Sequence, residues 1–287
     1  YILFFTEKGR CYWLKVYDIP EGAKSSKGRA IQNILNIEAD NRITASITIK
    51  SLNDKEFTQS HSLIFCTERG TIKKTSLEDY SRPRQNGINA INLVEGDRVV
   101  AVRLTNGENE ILVANSNGRA IRFNESTVRN MGRNATGVRA ITLDDDGQDH
   151  VVGMIAIENP EEETVMIVSE YGYGKRSDVE DYRITNRGGK GVKTIQITEK
   201  TGKLISIQSV TNDNDLMIIN KSGITLRLDV STIRVMGRAT QGVRLINLEK
   251  RGDQIASICK VNSEEPEEAS EVENNENQQV TTENSEA

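Results

Sequence analysis

Short hydrophobic runs and polar turns alternate along the chain, and one such pattern recurs five times. Each copy begins with a hydrophobic run that ends in a glycine-containing turn, and these opening segments are 1–9, 62–70, 110–118, 165–172 and 216–223. Runs rich in Val, Ile and Leu that are bounded by glycine and polar residues predict β-strands. The glycine predicts a hairpin turn with positive φ, which is an architectural role.

A second strand, a second glycine and a closing β-rich run complete each copy. The second glycine lies 19, 17, 19, 19 and 19 residues after the first, at Gly28, Gly87, Gly137, Gly191 and Gly242. The closing runs are 43–49, 99–104, 151–157, 204–210 and 255–261. Successive first glycines are 61, 48, 54 and 51 residues apart, a spacing typical of four-stranded propeller blades. The pattern therefore predicts an all-β ring of five or six blades that folds as one cooperative domain, without a helix.

Charge is divided unevenly between the body of the chain and its C-terminal end. The whole chain has 37 Lys and Arg against 42 Asp and Glu, a net charge of −5. Residues 262–287 hold nine Glu and no Lys or Arg, so residues 1–261 have 33 acidic residues and a net charge of +4. We expect residues 1–261 to form the ring and residues 262–287 to be a disordered acidic tail. The tail either competes with a polyanion for the basic surface or keeps the protein soluble.

The basic residues of the body cluster around the second glycine of each repeat. The stretches 22–32, 80–90, 129–139, 183–193 and 234–244 contain 15 Lys and Arg and no Asp or Glu. Because these stretches are equivalent in the repeat, a ring would align them as a basic band around its perimeter. The candidate binding residues are Lys24, Lys27, Arg29, Arg82, Arg84, Arg129, Arg133, Arg139, Arg183, Arg187, Lys190, Lys193, Arg234, Arg238 and Arg244.

Such a band favours double-stranded DNA as the partner. Lys and Arg that neutralise phosphates release counterions, which gives an affinity independent of base sequence. The low aromatic content of 5% argues against single-stranded or sequence-specific RNA binding. Charge reversal of Arg133, Arg187 and Arg238 should weaken duplex binding and leave the fold intact. The alternatives are loops that are merely solvated and a propeller that binds proteins through its central face.

Further cations follow the first turn of each repeat, on the predicted second strand. They either widen the basic band or form salt bridges between neighbouring blades. These residues are Arg10, Lys15, Lys73, Lys74, Arg122, Lys175, Arg176 and Arg227.

The chain offers no pattern that predicts a catalytic or metal site. His61 and His150 are the only histidines, and neither has a second ligand nearby in the sequence. Tyr80 and Tyr182 each follow an aspartate at equivalent places, which indicates packing or a loop hydrogen bond rather than nucleophilic attack.

Cys11, Cys66 and Cys259 are odd in number and far apart, each among hydrophobic or β-forming neighbours. This arrangement predicts buried reduced thiols. With no signal peptide and no hydrophobic run long enough to span a bilayer, a reducing cytoplasm is the expected compartment.

Several stretches resemble the C-terminal domain of DNA gyrase A subunits, within the type IIA topoisomerase family. The similarity covers essentially all of residues 1–261. It is closest in TEKGRCYWLKVYDIPEG and KGRAIQNIL (residues 6–22 and 27–35), and in MGRNATGVRAI and MGRATQGVRLI (131–141 and 236–246).

The resemblance implies a six-bladed β-pinwheel, with the first blade incomplete in this chain, that wraps duplex DNA around its edge. It also implies a role in negative supercoiling by bacterial DNA gyrase, in an assembly of two A and two B subunits. DNA cleavage and ATP hydrolysis, with ATP and Mg²⁺, belong to other parts of that enzyme, so neither catalytic residues nor a cofactor are expected here. A related alternative is the topoisomerase IV subunit, whose ring is degenerate and wraps weakly.

The family's supercoiling motif, a glutamine followed by basic residues and paired glycines, is not found here at its usual place before the first strand. The nearest stretch, residues 185–191 (TNRGGKG), lacks the leading glutamine and lies in a later repeat. We interpret it as a related turn that contacts phosphate.

Overall fold

Five antiparallel sheets follow one another along the chain, one for each sequence repeat, in a computed structural model. The structure describes residues 1–23, 25–145, 147–248 and 252–262. Three long strands form the body of each sheet. In chain order they are β1 (Ile2–Thr6), β2 (Arg10–Leu14) and β3 (Ile43–Thr48); β4 (Ser62–Thr67), β5 (Thr71–Ser76) and β7 (Val99–Thr105); β8 (Glu110–Asn115), β9 (Arg119–Asn124) and β11 (Val151–Ile157); β12 (Thr164–Ser169), β13 (Tyr173–Asp178) and β15 (Leu204–Val210); and β16 (Asn214–Asn220), β17 (Thr225–Asp229) and β19 (Ile255–Asn262).

The fourth strand of a sheet is supplied by the following repeat. It is a two-residue strand that pairs with the second strand of the preceding repeat, as Ile88 does with Cys11. The last of the five sheets has three strands in the described part of the chain. The exchanged strands are β6 (Ile88–Asn89), β10 (Val138–Arg139), β14 (Val192–Lys193) and β18 (Val243–Arg244).

The second glycine of the repeat makes this exchange possible. Gly191 has a φ of +71°, and a Cβ atom there would lie 2.4 Å from the carbonyl oxygen of Ala120 on the preceding sheet. Gly137 is similar, with a φ of +112° and a Cβ position 2.5 Å from the Ile72 oxygen. Only glycine combines a left-handed backbone with so close an approach to another chain segment. In repeats two to five, the second glycine therefore marks where one repeat crosses onto its neighbour, whereas Gly28 of the first repeat has open space around its Cβ position.

Hydrophobic cores lie between consecutive sheets, so the second, third and fourth sheets are covered on both faces. Between the first two sheets, Phe5 packs edge-on against Phe65 with ring centroids 5.4 Å apart. Ile64 and Ile111 lie in the next core, and Leu112 and Ile167 in the one after it. The strands β3, β7, β11, β15 and β19 contact one another in that order and form the inner side of the array. Cores shared in this way make the repeats depend on each other for stability.

The structure confirms an all-β, propeller-like ring built from the predicted strands and glycine turns. The described residues form five sheets, so the prediction of six blades is not confirmed. The expectation of an incomplete first blade is wrong, because β6 completes the first sheet, and the three-stranded sheet is the last one. The prediction that no helix would occur is also wrong, since Asp54 caps a short helix, α1 (Lys55–Ser60), by accepting from the Phe57 N–H at 3.0 Å.

Two of the three cysteines are buried as predicted, and the third is not. Burial raises the pKa of Cys66 to about 12 and that of Cys11 above its usual value, so both thiols stay protonated. Cys259 is exposed because it lies on β19, in the last sheet, where no further sheet follows along the described chain.

The predicted disordered tail lies outside the described residues apart from Asn262, which belongs to β19. Within the described part of the chain, none of the helices has the length and hydrophobicity to cross a membrane.

Candidate nucleic-acid interface

In repeats two to five, the predicted basic residues lie on the exchanged strands or in the segments leading into them, at the opposite side of each sheet from the inner strands. Lys27 and Arg29 of the first repeat instead precede a short 3-10 turn at Ile31–Asn33. Lys24 lies outside the described residues. Three of the remaining fourteen, Arg133, Arg187 and Arg238, are half-buried. The other eleven are exposed: Lys27, Arg29, Arg82, Arg84, Arg129, Arg139, Arg183, Lys190, Lys193, Arg234 and Arg244. These fourteen residues are called the basic band below.

In each repeat, the chain segment around the second glycine that carries the band residues is called its band segment. Hydrogen bonds directly join the band segments of the second and third repeats. The Asn92 backbone N–H donates to the Ala135 carbonyl oxygen at 3.2 Å, and the Asn92 side chain donates to the Asn134 oxygen at 2.6 Å. The Asn89 amide donates to the Asn134 side-chain oxygen at 3.0 Å. These asparagines were not among the predicted site residues, although they recur inside the basic stretches or just beyond them.

The same connection is repeated between the third, fourth and fifth repeats. The Gly188 N–H donates to the Ala140 oxygen at 2.6 Å, and the Thr142 hydroxyl donates to the Gly188 oxygen at 2.7 Å. Between the last two repeats, the Gln196 N–H donates to the Thr240 oxygen at 3.3 Å. The band segments of repeats two to five are therefore consecutive neighbours, and they form one uninterrupted track.

The three half-buried arginines brace this track from one repeat to the next. Each lies four residues before the second glycine of its own repeat and donates to a carbonyl two residues after the second glycine of the preceding repeat. Arg238 donates to the Lys193 oxygen at 2.7 Å. Arg187 donates to the Arg139 oxygen at 3.1 Å, and Arg133 approaches the Asn89 oxygen at 3.4 Å. These side chains hold the exposed cations in place as well as adding charge.

Acidic residues outside the basic sequence stretches border the band at two places. Glu78 and Asp79 line a depression of about 370 Å³ together with Arg82, Arg84 and Arg133. Asp181 lies close to the fifth-repeat segment, where it accepts from the Arg238 N–H at 3.2 Å. In the second and fourth repeats, carboxylates of the short turn after the second strand thus lie beside the band.

Two lysines that sequence analysis left open are buried beneath the band. Lys73 donates to the carbonyl oxygens of Ala90 and of Arg133, the latter at 2.9 Å, and Lys175 donates to the Gly237 oxygen at 2.6 Å. Burial lowers the pKa of Lys73 to about 7 and that of Lys175 to about 8. Both support the band segment of the next repeat from inside, and neither is available to a ligand.

Some of the neighbouring cations on the second strands bond to the next repeat, and two of them, Lys74 and Arg122, form the salt bridges between blades that one of the two interpretations predicted. Lys74 pairs with buried Glu125 at 2.6 Å. Arg122 pairs with Glu110 at 2.5 Å and with Glu180 at 3.0 Å. The buried Arg176 donates to backbone oxygens of the next repeat, and Arg227 pairs within its own sheet. Arg10 donates to the oxygen of Asn86, in the basic stretch of the second repeat, at 2.9 Å, while Lys15 lies over the exposed Tyr17 ring at 5.2 Å.

Tyr80 and Tyr182 pack inside the fold, as predicted. Both side chains are fully buried. The Tyr80 hydroxyl donates to the Ala90 oxygen at 3.2 Å, and the Tyr182 hydroxyl is hydrogen-bonded to Thr194. Burial raises the pKa of Tyr182 to about 12 and that of Tyr80 above its usual value, so neither is poised to attack a phosphate.

The sequence matches one family model, described as "DNA gyrase C-terminal domain, beta-propeller", in each of its five repeats. The matched residues are 1–50, 61–106, 109–158, 163–211 and 214–261. They include every residue of the basic band.

Curated relatives give the same result. The chain is 44% identical over 265 residues to the DNA gyrase A subunit of Staphylococcus epidermidis, covering 92% of the chain and 29% of that protein. It is 44% identical over 284 residues to the DNA gyrase A subunit of Staphylococcus aureus, covering 98% of the chain and 30% of that protein. The chain thus spans less than a third of the length of these relatives.

Solved structures with a similar fold include the C-terminal domain of DNA topoisomerase IV, with a TM-score of 0.81 and 26% identity over 91% of this chain and 79% of that one. They also include the DNA gyrase A C-terminal domain, with a TM-score of 0.76 and 23% identity over 91% of this chain and 82% of that one.

Proposed function

We propose that this chain, which belongs to the DNA gyrase C-terminal domain family, binds duplex DNA without base specificity and curves it along the basic band. In this proposal the chain is the DNA-wrapping part of the DNA gyrase A protein and serves negative supercoiling. The observation that supports it best is the direct hydrogen bonding between band segments of consecutive repeats.

A continuous basic track favours duplex binding because a duplex presents its phosphates at regular intervals along its length. A track of exposed Lys and Arg can follow that path from one repeat to the next, whereas isolated basic loops would hold the duplex at separate points. Each phosphate neutralised by the band releases counterions, so the affinity should fall with salt by a slope of about 0.9 per contact. Among the described residues, no element of the band has the form of a base-reading helix, which favours contacts with phosphate alone.

Bending the duplex has an elastic cost that the contacts must offset. Curving a site of 20–30 base pairs by 40–90° costs on the order of 1–6 kcal/mol. Many phosphate contacts spread over several repeats can offset this cost, provided that the track is rigid. Arg133, Arg187 and Arg238 supply that rigidity by fixing each segment to its neighbour.

The remaining partners belong to the same proposal, which family membership supports. We propose that residues 1–261 act together with the remainder of the gyrase A protein and with the gyrase B protein, and that DNA cleavage and ATP- and Mg²⁺-dependent steps occur there. No catalytic residue or cofactor is assigned to this chain. The expected location is the bacterial cytoplasm, in association with the chromosome.

A second candidate is the corresponding domain of topoisomerase IV, because its solved structure superimposes with a TM-score of 0.81. The two candidates share duplex binding and differ in how strongly the duplex is curved. Measuring a change in DNA linking number separates them.

Duplex binding itself is tested by charge reversal of exposed band residues. Arg84→Glu, Arg139→Glu and Lys190→Glu in one chain should weaken binding of a mixed-sequence duplex and reduce the salt slope by about one for each lost contact. The matched control is Arg42→Glu, Lys50→Glu and Lys260→Glu, which changes the charge equally at exposed residues on or beside the inner strands. Equal loss of affinity in both triple variants would contradict a band-specific interface.

A further inference from the structure

A cavity of about 290 Å³ lies among the inner strands, remote from the basic band. All five sheets contribute to its wall, through Thr44 near the start of β3 and through residues of β7, β11, β15 and β19. Since a water molecule takes up about 30 Å³ in the liquid, this cavity has room for roughly ten waters or for a small solute with part of its hydration shell.

Arg103 is the only charged residue among the described residues that line this cavity. Its guanidinium donates to the adjacent Val102 oxygen at 2.9 Å, which uses one of five N–H donors. Burial lowers the pKa of Arg103, and no carboxylate of the described residues contributes to that shift. An arginine nevertheless remains charged at neutral pH. Arg103 is half-buried, so its charge lies in the wall of this cavity with no carboxylate among the described lining residues, where an anion or water can compensate it.

The remaining polar residues of the wall can also serve an anion. Thr44, Ser206 and Ser257 provide hydroxyl groups, and Gln208 provides an amide. These residues come from the first, fourth and fifth sheets, whereas Arg103 comes from the second. Hydroxyl and amide donors together with a planar guanidinium are the groups that bind the oxygens of a tetrahedral oxyanion.

We propose that this central cavity is a binding site for a small oxyanion of the phosphate class, held by Arg103 with help from Ser206, Gln208 and Ser257. Because strands of different sheets line the cavity, a bound anion would tie them together and stabilise the ring. The site does not depend on the proposed DNA function, since Arg103 lies on an inner strand and the basic band lies at the opposite side of the sheets.

The test is equilibrium dialysis of the full chain against inorganic phosphate at constant ionic strength, with chloride as the replacing anion. Saturable binding close to one phosphate per chain is expected, together with a higher unfolding temperature. Arg103→Gln should weaken this binding by about tenfold or more, because it removes a charge-assisted hydrogen bond. Arg103→Lys should retain part of it. Arg29→Gln, which removes an exposed charge from the band, is the matched control and should leave the saturable site unchanged.

Identical phosphate binding by the wild-type chain and Arg103→Gln, or no saturable binding by either, would overturn the proposal. If Arg103→Gln does not fold, the ¹⁵Nε resonance of Arg103 in the wild-type chain provides the answer. A saturating shift with phosphate but not with chloride supports the site, and an unchanged resonance overturns it. Duplex affinity, measured on Arg103→Gln, should equal that of the wild-type chain whichever function the basic band has.

Discussion

Arg238 donates a hydrogen bond from its guanidinium to the carbonyl oxygen of Lys193, 2.7 Å away, across the boundary between two consecutive repeats. The acceptor is the backbone of one basic residue and the donor is the side chain of another. The exposed cations of one repeat are therefore positioned by an arginine of the next. This relationship changes what the mutation of each basic residue is expected to do.

Removing the Arg238 side chain should lower the free energy of unfolding. Arg238→Ala takes away the bonds to the Lys193 and Asp181 oxygens, and we expect a loss of about 1–3 kcal/mol in the free energy of unfolding. Arg234→Ala changes the same charge at an exposed position of the same stretch and should stay within about 0.5 kcal/mol. Urea unfolding of the two variants checks this difference, and equal stabilities would show that the brace contributes nothing. Charge reversal at Arg133, Arg187 and Arg238 is for this reason a less clean test of DNA binding than the sequence suggested.

The second glycine should tolerate no side chain. Gly191→Ala would place a Cβ atom 2.4 Å from the Ala120 oxygen on a backbone with positive φ, and a destabilisation of at least about 1–3 kcal/mol is expected. Gly237 lies in the equivalent region of the next repeat and has open space around its Cβ position. Gly237→Ala should therefore leave the stability nearly unchanged. The urea midpoints of both variants provide the comparison. A Gly191→Ala protein as stable as the wild type would contradict the close crossing of repeats.

Stability should rise as the pH increases from about 7 to 9.5. Burial lowers the pKa of Lys73 to about 7 and that of Lys175 to about 8, whereas an unfolded lysine has a pKa of about 10.4. Between these values the unfolded chain binds more protons than the folded one, so raising the pH favours folding. The urea midpoint of Lys73→Met should depend less on pH over this range than that of the wild type. Parallel pH profiles for the two proteins would show that Lys73 does not cause the pH dependence of stability.

The three thiols should differ sharply in reactivity. Cys259 is exposed, while Cys11 and Cys66 are buried with raised pKa values. Because the thiolate is the reactive species, a thiol reagent should modify one cysteine per native chain and three after unfolding in urea. Cys259→Ser should abolish the native reaction. Reaction of more than one thiol in the native chain would contradict the buried positions.

Much of the fold could be predicted because its strands follow a simple pattern. The β12 and β16 runs are continuous hydrophobic segments that end in glycine turns, and the sequence locates them within one or two residues. The exchanged strands could not be assigned to the preceding sheet. They are two residues long and are held by backbone hydrogen bonds, which leave no periodic side-chain pattern in the sequence.

The candidate site shows the same limit. Arg84 and Arg133 look alike in sequence, yet one is exposed and the other is half-buried against a neighbouring repeat. Lys73 looks like an extension of the band and is instead enclosed beneath it. Composition located the basic stretches, but only the contacts between repeats separate residues that can meet a ligand from residues that position them.

In the proposed function, the basic band curves duplex DNA rather than only binding it. Relaxing a closed DNA circle with a nicking-closing enzyme in the presence of the full chain, followed by removal of protein, measures this directly. We expect a change in linking number that grows with the amount of bound chain and is reduced, at equal occupancy, by Arg84→Glu, Arg139→Glu and Lys190→Glu in one chain. A circle that is saturated with protein and keeps the linking number of naked relaxed DNA would contradict this expectation.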